Sequence, residues 1–189
     1  MAKFKVPSGV GVSDFFEKHV PEQFKEITAG ANLSSLAGKE VNLQFNVNDQ
    51  KYCLKITDGS NLEVVKGGVD KPLLTLALSD QVFLDAITGK VEGMLDRFTD
   101  PVEIADPIRL KNLMETKGTL NLTLKQDGNS MPVTMIFNGE EKPVVEISLE
   151  LQDWIAMQNK QTTGQNLFMN GKLKFTGDMV LLMKLQSLI

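Results

Sequence analysis

One pattern occurs twice in this chain, 71 residues apart, and it limits the folds open to the chain more than any other feature. Lys71-Pro72 precedes the run LLTLAL, and Lys142-Pro143 precedes VVEISL. At this spacing Leu74, Leu76 and Leu78 align with Val145, Ile147 and Leu149, which is the period-two alternation of a half-buried strand. Phe83 aligns with Trp154 in a following helical pattern, Val102 and Ile104 with Leu173 and Phe175, and Ile108 and Leu110 with Met179 and Leu181. Chance agreement of apolar periods accounts for one such segment. Strand, helix, strand and helix in a single register point to a duplicated unit.

The sequence around the repeat completes each copy. Residues 1–12 read as a loose N-terminal arm. A helix is predicted from Ser13, with Phe15, Phe16, His19, Val20, Phe24 and Ile27 broadly on one face and a break or new first turn at Pro21. Strands follow at Val41–Val47, Tyr52–Thr57 and Leu62–Val65, then Leu73–Leu78 and a helix capped by Ser79 or Asp80. In the second half Leu120, Leu122 and Leu124 alternate with polar residues. Gln126-Asp127-Gly128-Asn129 turns the chain, and Val133–Phe137 returns. The expected organisation is an arm at 1–12, copy one at 13–117 and a shortened copy two at 118–189. A unit of about seventy residues is marginal alone, and no Pro/Gly/Ser-rich linker separates the copies. Copy two is therefore expected to pack closely on copy one or share its sheet.

The closing stretch, Gly171 to Ile189, reads GKLKFTGDMVLLMKLQSLI. Leu173 and Phe175 alternate with lysines and Thr176, Gly177 turns, and Asp178 is placed to cap a helix running from Met179 to the C-terminus. Only Lys184, Gln186 and Ser187 in that helix are polar, whereas an ordinary surface helix is apolar along one stripe. Such a helix is too short to span a bilayer and needs a core, a partner or an apolar ligand to touch. The equivalent stretch of copy one, Pro107–Lys117, has a normal amphipathic composition. The apolarity therefore belongs to the second site and not to the repeated architecture. Six of the nine methionines (Met131, Met135, Met157, Met169, Met179 and Met183) lie in copy two, where flexible thioethers suit a variable apolar ligand.

Composition removes several other functions. The net charge of −4 gives no overall attraction to nucleic acid or an anionic membrane. A single histidine, His19, and a single cysteine, Cys53, leave no material for a His-based triad, a disulfide or a cysteine metal cluster. Gly9-Val10-Gly11 lacks the third glycine and the preceding strand of a dinucleotide loop. No enzyme, cofactor or metal site is expected. The N-terminus lacks a signal-peptide core and the C-terminus a Ser-Lys-Leu address, so a cytoplasmic location is expected.

The phrase FMNGKLKFTGDMVLLMKLQSL, Phe168 to Leu188, resembles the closing phrase of the sterol carrier protein type two family. Ser79–Lys90, with Ser-Asp, Phe-Leu and Thr-Gly-Lys, is similar to another of its phrases. The resemblance implies an α+β fold with a twisted, mainly antiparallel sheet covered by helices on one face, here internally duplicated. It also implies non-enzymatic binding, and transfer, of a fatty acid, fatty acyl-CoA, phospholipid or sterol-like lipid in a tunnel between sheet and helices. Residues expected to meet the ligand are Met135, Trp154, Met157, Phe168, Met169, Phe175, Met179, Leu182, Met183 and Gln186. No nucleic-acid partner and no stable membrane insertion are expected. The alternative is an interaction module whose closing helix packs in a homodimer or on a partner protein.

Overall fold

The alternating runs pair into one sheet. In the computed structural model, which describes residues 6–91, 93–94, 98 and 100–188, the strands are β1 (Glu40–Val47), β2 (Gln50–Thr57), β3 (Asn61–Lys66) and β4 (Leu74–Leu78), followed by β5 (Gly118–Gln126), β6 (Asn129–Phe137), β7 (Val144–Glu150) and β8 (Lys174–Gly177). Their order across the sheet is β3-β2-β1-β4-β6-β5-β7-β8. Two parallel pairs, β1 with β4 and β5 with β7, sit among antiparallel neighbours. The units β2-β1-β4 and β6-β5-β7 thus have the same internal order. In each, a hairpin's first strand takes a later strand as a parallel neighbour. The units join where β4 runs antiparallel to β6, Leu74 opposite Phe137 and Leu78 opposite Val133.

Hairpin β5–β6 closes on Asp127 and Gly128, both with positive φ (51° and 80°). A two-residue turn of this kind matches the twist of the flanking strands. Inward residues of the strands, such as Leu43, Phe45, Tyr52, Leu76, Leu120, Leu122, Met135 and Ile147, are buried in one apolar cluster. The opposite face carries Asn42, Asn46, Asn121, Thr123 and Thr134, so the sheet has one apolar and one polar side.

Helices supply the other half of the cluster. They are α1 (Val12–Asp14), α2 (Val20–Thr28), α3 (Asp80–Ile87), α4 (Pro101–Ile104), α5 (Pro107–Glu115), α6 (Leu151–Gln158), α7 (Gly164–Met169) and α8 (Met179–Leu185). A π-helical turn over Phe15–His19 joins α1 to α2, so the chain stays helical past Pro21, which sits in the first turn of α2. Phe16 there stacks on Tyr52 and Phe83, with ring centroids 4.6 and 5.4 Å away. Helices α3 and α6 start and end 71 residues apart, the spacing of the sequence repeat.

Three expectations need correction. Val6, placed in a loose arm, is buried and donates its N–H to the Ile87 carbonyl, because its side chain has the helix α3 region to cover. Residues 1–5 of that arm lie outside the described residues. Val102 and Ile104 belong to a helix, not a strand. Asp100 accepts from the Val102 N–H and Pro101 presets the first turn, so the local signals override the alternation. The closing helix stops at Leu185, and Gln186–Leu188 form a turn in which Leu188 N–H bonds to the Leu185 carbonyl. Ile189 lies outside the described residues.

Candidate functional site

The β8–α8 corner is fixed by backbone geometry. Gly177 has φ +105°, and a side chain there would run into the Val144 carbonyl. The next residue, Asp178, donates its N–H to that carbonyl and accepts the Leu181 N–H at 2.8 Å, capping α8 as its sequence position predicts. With α8 so directed, Leu181 and Leu185 face the core and Leu188 follows them. The remaining apolar side chains point away: Met179 is 56% exposed, Val180 67% and Met183 61%. Before β8, α7 is capped by Thr163, whose hydroxyl accepts from Asn166, and Leu167 is its buried anchor. Phe168 and Met169 stand out from it, 51% and 75% exposed. The Phe168 ring packs on Phe175 of β8, centroids 5.2 Å apart.

The residues expected to meet a ligand therefore fall into three layers. Met135, Trp154 and Met157 are buried in the core between sheet and helices. Phe175 and Leu182 are half-buried and pack against it. Phe168, Met169, Met179, Met183 and Gln186 are exposed. Trp154 is also tied to the first half of the chain: its indole N–H donates to the Met94 carbonyl at 3.0 Å, and Gln158 donates to the Gly93 carbonyl at 2.9 Å. Both side chains of α6 thereby satisfy the backbone carbonyls of Gly93 and Met94.

Sequence reasoning missed two features. One is a cleft of about 390 Å³ on the polar side of β5, β7 and β8, lined by Lys125, Ser148, Glu150, Asp153, Lys172 and Lys174 among others. Register brings these together, Lys125 opposite Glu150 and Ser148 opposite Lys174. The alternation of these strands carried that signal. The other is Arg109. The composition of Pro107–Lys117 predicts an ordinary amphipathic helix, but α5 buries Arg109 and leaves Ile108 73% and Met114 52% exposed. The guanidinium donates to the Leu188 carbonyl and lies over the Phe98 ring, 5.2 Å from its centroid. A buried arginine needs such partners, and here one comes from the end of the chain and the other from just ahead of α5.

Titratable groups cluster elsewhere and weakly. Hydrogen bonding to Lys18 lowers the Asp14 pKa, and hydrogen bonds from Ser13 and Lys66 lower that of Glu17; both are exposed surface contacts. Burial pushes the Cys53 thiol up to about 11, so it is protonated and unreactive at neutral pH. Among the described residues no three His, Cys, Asp or Glu side chains gather as a metal site, and no helix is long and apolar enough to cross a membrane.

Residues 103–189 match the model of the SCP-2 sterol transfer family. The match spans somewhat less than half of the chain. This matched stretch, for brevity the sterol-transfer region after the name of the family model, starts ahead of residue 118 and so takes in α5 together with β5–β8 and α6–α8. Solved structures similar to the chain include Sterol Carrier Protein 2 Like 2 of Aedes aegypti, at 20% identity over 46% of this chain and 93% of that one, TM-score 0.35. Sterol carrier protein domain 2 of Helicoverpa armigera is 22% identical over 53% of this chain and 80% of that one, TM-score 0.35. Sterol Carrier Protein 2 of Yarrowia lipolytica in its apo form is 17% identical over 45% and 79%, TM-score 0.33. No curated protein matches in sequence. Of the eight exposed large hydrophobic residues among those described, seven (all but Val102) fall inside the sterol-transfer region.

Proposed function

We propose that the chain binds an apolar ligand of the fatty acyl or sterol-like class, without catalysing a reaction, in its sterol-transfer region. The observation that carries the reading is the layering of apolar residues at the β8 end of the sheet. Phe168, Met169, Met179 and Met183 would form the mouth, Phe175 and Leu182 the wall, and Met135, Trp154 and Met157 the inner end. Methionines adapt to chains of different length, and each methylene buried contributes roughly 0.8 kcal/mol, so about ten suffice for micromolar affinity. The first half of the chain fits a supporting role, since its own sheet–helix interface is filled by the rings of Phe15, Phe16, Phe45, Tyr52 and Phe83. We also read the two units of the sheet as descendants of one duplicated unit, of which only the second kept a ligand site.

The test is to purify the chain under native conditions and extract it for lipid mass spectrometry. A stoichiometric lipid in the extract supports the reading. An empty extract, together with failure to take up added fatty acid or sterol, would overturn it.

A further inference from the structure

We propose that the cleft at the carboxyl ends of β5 and β7 is a second binding site, which takes a small zwitterion with two negative charges and one ammonium group. Acidic α-amino acids and aminoalkyl phosphates have that set of charges. The cleft shares no residue with the apolar site proposed above, so the two readings stand or fall separately.

The inference starts from the charges that line the cleft. Lys172 and Asp153 pair with each other at 2.9 Å, which joins the α7–β8 connection to the first turn of α6 and forms one wall. Glu146, two residues before Ser148 on β7, is engaged by the Thr176 hydroxyl at 3.1 Å. Lys125, Lys174 and Glu150 remain, and none of the three forms an ion pair among the described residues. The Glu150 side chain does not cap α6 either, although Glu150 occupies the N-cap position. Strand register holds these groups together. Lys125 lies opposite Glu150, and Lys174 opposite Ser148, on neighbouring strands about 5 Å apart. Two ammonium groups and one carboxylate, beside the Ser148 hydroxyl, are the complement of a ligand with two negative charges and one positive.

The repeat supplies an internal control. Ser148, Glu150 and Asp153 correspond, 71 residues earlier, to Ala77, Ser79 and Val82. Thr134 lies opposite Ala77 as Lys174 lies opposite Ser148. No ionisable side chain stands at any of those places, and the Ser79 hydroxyl accepts the Val82 N–H. The charge set therefore belongs to this cleft and not to the shared architecture. Lysines on an edge strand can serve only to discourage pairing with another chain, but that role accounts for Lys174 on β8 alone. Lys125 is on β5, two strands in from the edge, and Glu150 carries the opposite sign. At about 390 Å³ the cleft is at the lower end of the range of small-molecule sites.

Titration of the isotope-labelled full chain, followed by amide chemical shifts, tests the proposal with O-phosphoethanolamine and L-glutamate as probes. Saturable shifts at Lys125, Ser148, Glu150 and Lys174 are expected, with roughly millimolar affinity because each contact is an exposed ion pair. Binding of one probe alone also supports the proposal and tells a phosphate ligand from a carboxylate one. K125Q and K174Q should each weaken binding about two- to fivefold, and raised salt should weaken that of the wild type. E150Q should remove the preference for O-phosphoethanolamine over ethyl phosphate, which lacks the ammonium group. Circular dichroism should show all three variants folded, and their fatty acid uptake should match the wild type, so that failure of the apolar site is seen apart from failure of the cleft. The proposal is overturned if neither probe gives saturable shifts at the cleft, or if K125Q/K174Q binds as tightly as the wild type. Equal affinity of the wild type for ethyl phosphate and O-phosphoethanolamine would overturn it as well.

Discussion

At the scale of single residues, burial decides what each side chain can do. Cys53 sits on a strand facing the polar side yet is fully buried, and its thiol is held protonated. Its pKa rises from 9.0 to about 11 on folding. The folded state therefore binds more protons between those values, and stability should fall as pH rises from 9 to 11. Iodoacetamide at neutral pH should leave the native thiol unmodified and label it only in denaturant. Native labelling at the unfolded rate would contradict the buried placement. Trp154 is the other informative residue. Trp154→Phe keeps an aromatic side chain but removes the indole N–H that serves the Met94 carbonyl, and a loss of at least about 1–2 kcal/mol in urea unfolding is expected.

At the scale of elements, local signals explain most of what the sequence made legible. The strands, the Ser79 and Asp178 caps and the Asp127-Gly128 turn follow from alternation, capping chemistry and positive φ. Asp178→Ala should cost about 1 kcal/mol through the lost α8 cap. Gly177→Ala should cost roughly 2 kcal/mol or more, since it adds a strained φ and a clash with the Val144 carbonyl. Both are read by thermal or urea unfolding, and a smaller loss for Gly177→Ala than for Asp178→Ala would contradict the corner geometry. What remained illegible was set by tertiary partners. Alternation placed Val102 and Ile104 in a strand, but Asp100 caps and Pro101 opens a helix there. Composition put Arg109 on the wet side of α5, and the distant Leu188 carbonyl together with the Phe98 ring accounts for its burial. The residues expected to meet a ligand were picked from the sequence as one set. Their division into buried, half-buried and exposed layers was not, because it depends on which way α7 and α8 face.

At the scale of the whole molecule, the β4–β6 ladder makes one sheet of two like-ordered units. Trp154 and Gln158 add a second tie by holding the carbonyls of Met94 and Gly93. Unfolding should be a single transition in urea, with the Trp154 fluorescence and the far-ultraviolet circular dichroism changing together. Two separated transitions would mean that the units are independent. Titration of the purified chain with a fluorescent fatty acid asks whether the sterol-transfer region holds an apolar ligand, as proposed. The prediction is saturable binding of one ligand per chain at micromolar concentration, displaced by unlabelled fatty acid or sterol and weakened at least tenfold by Leu182→Asp. A signal that never saturates, or that no unlabelled lipid displaces, would contradict it.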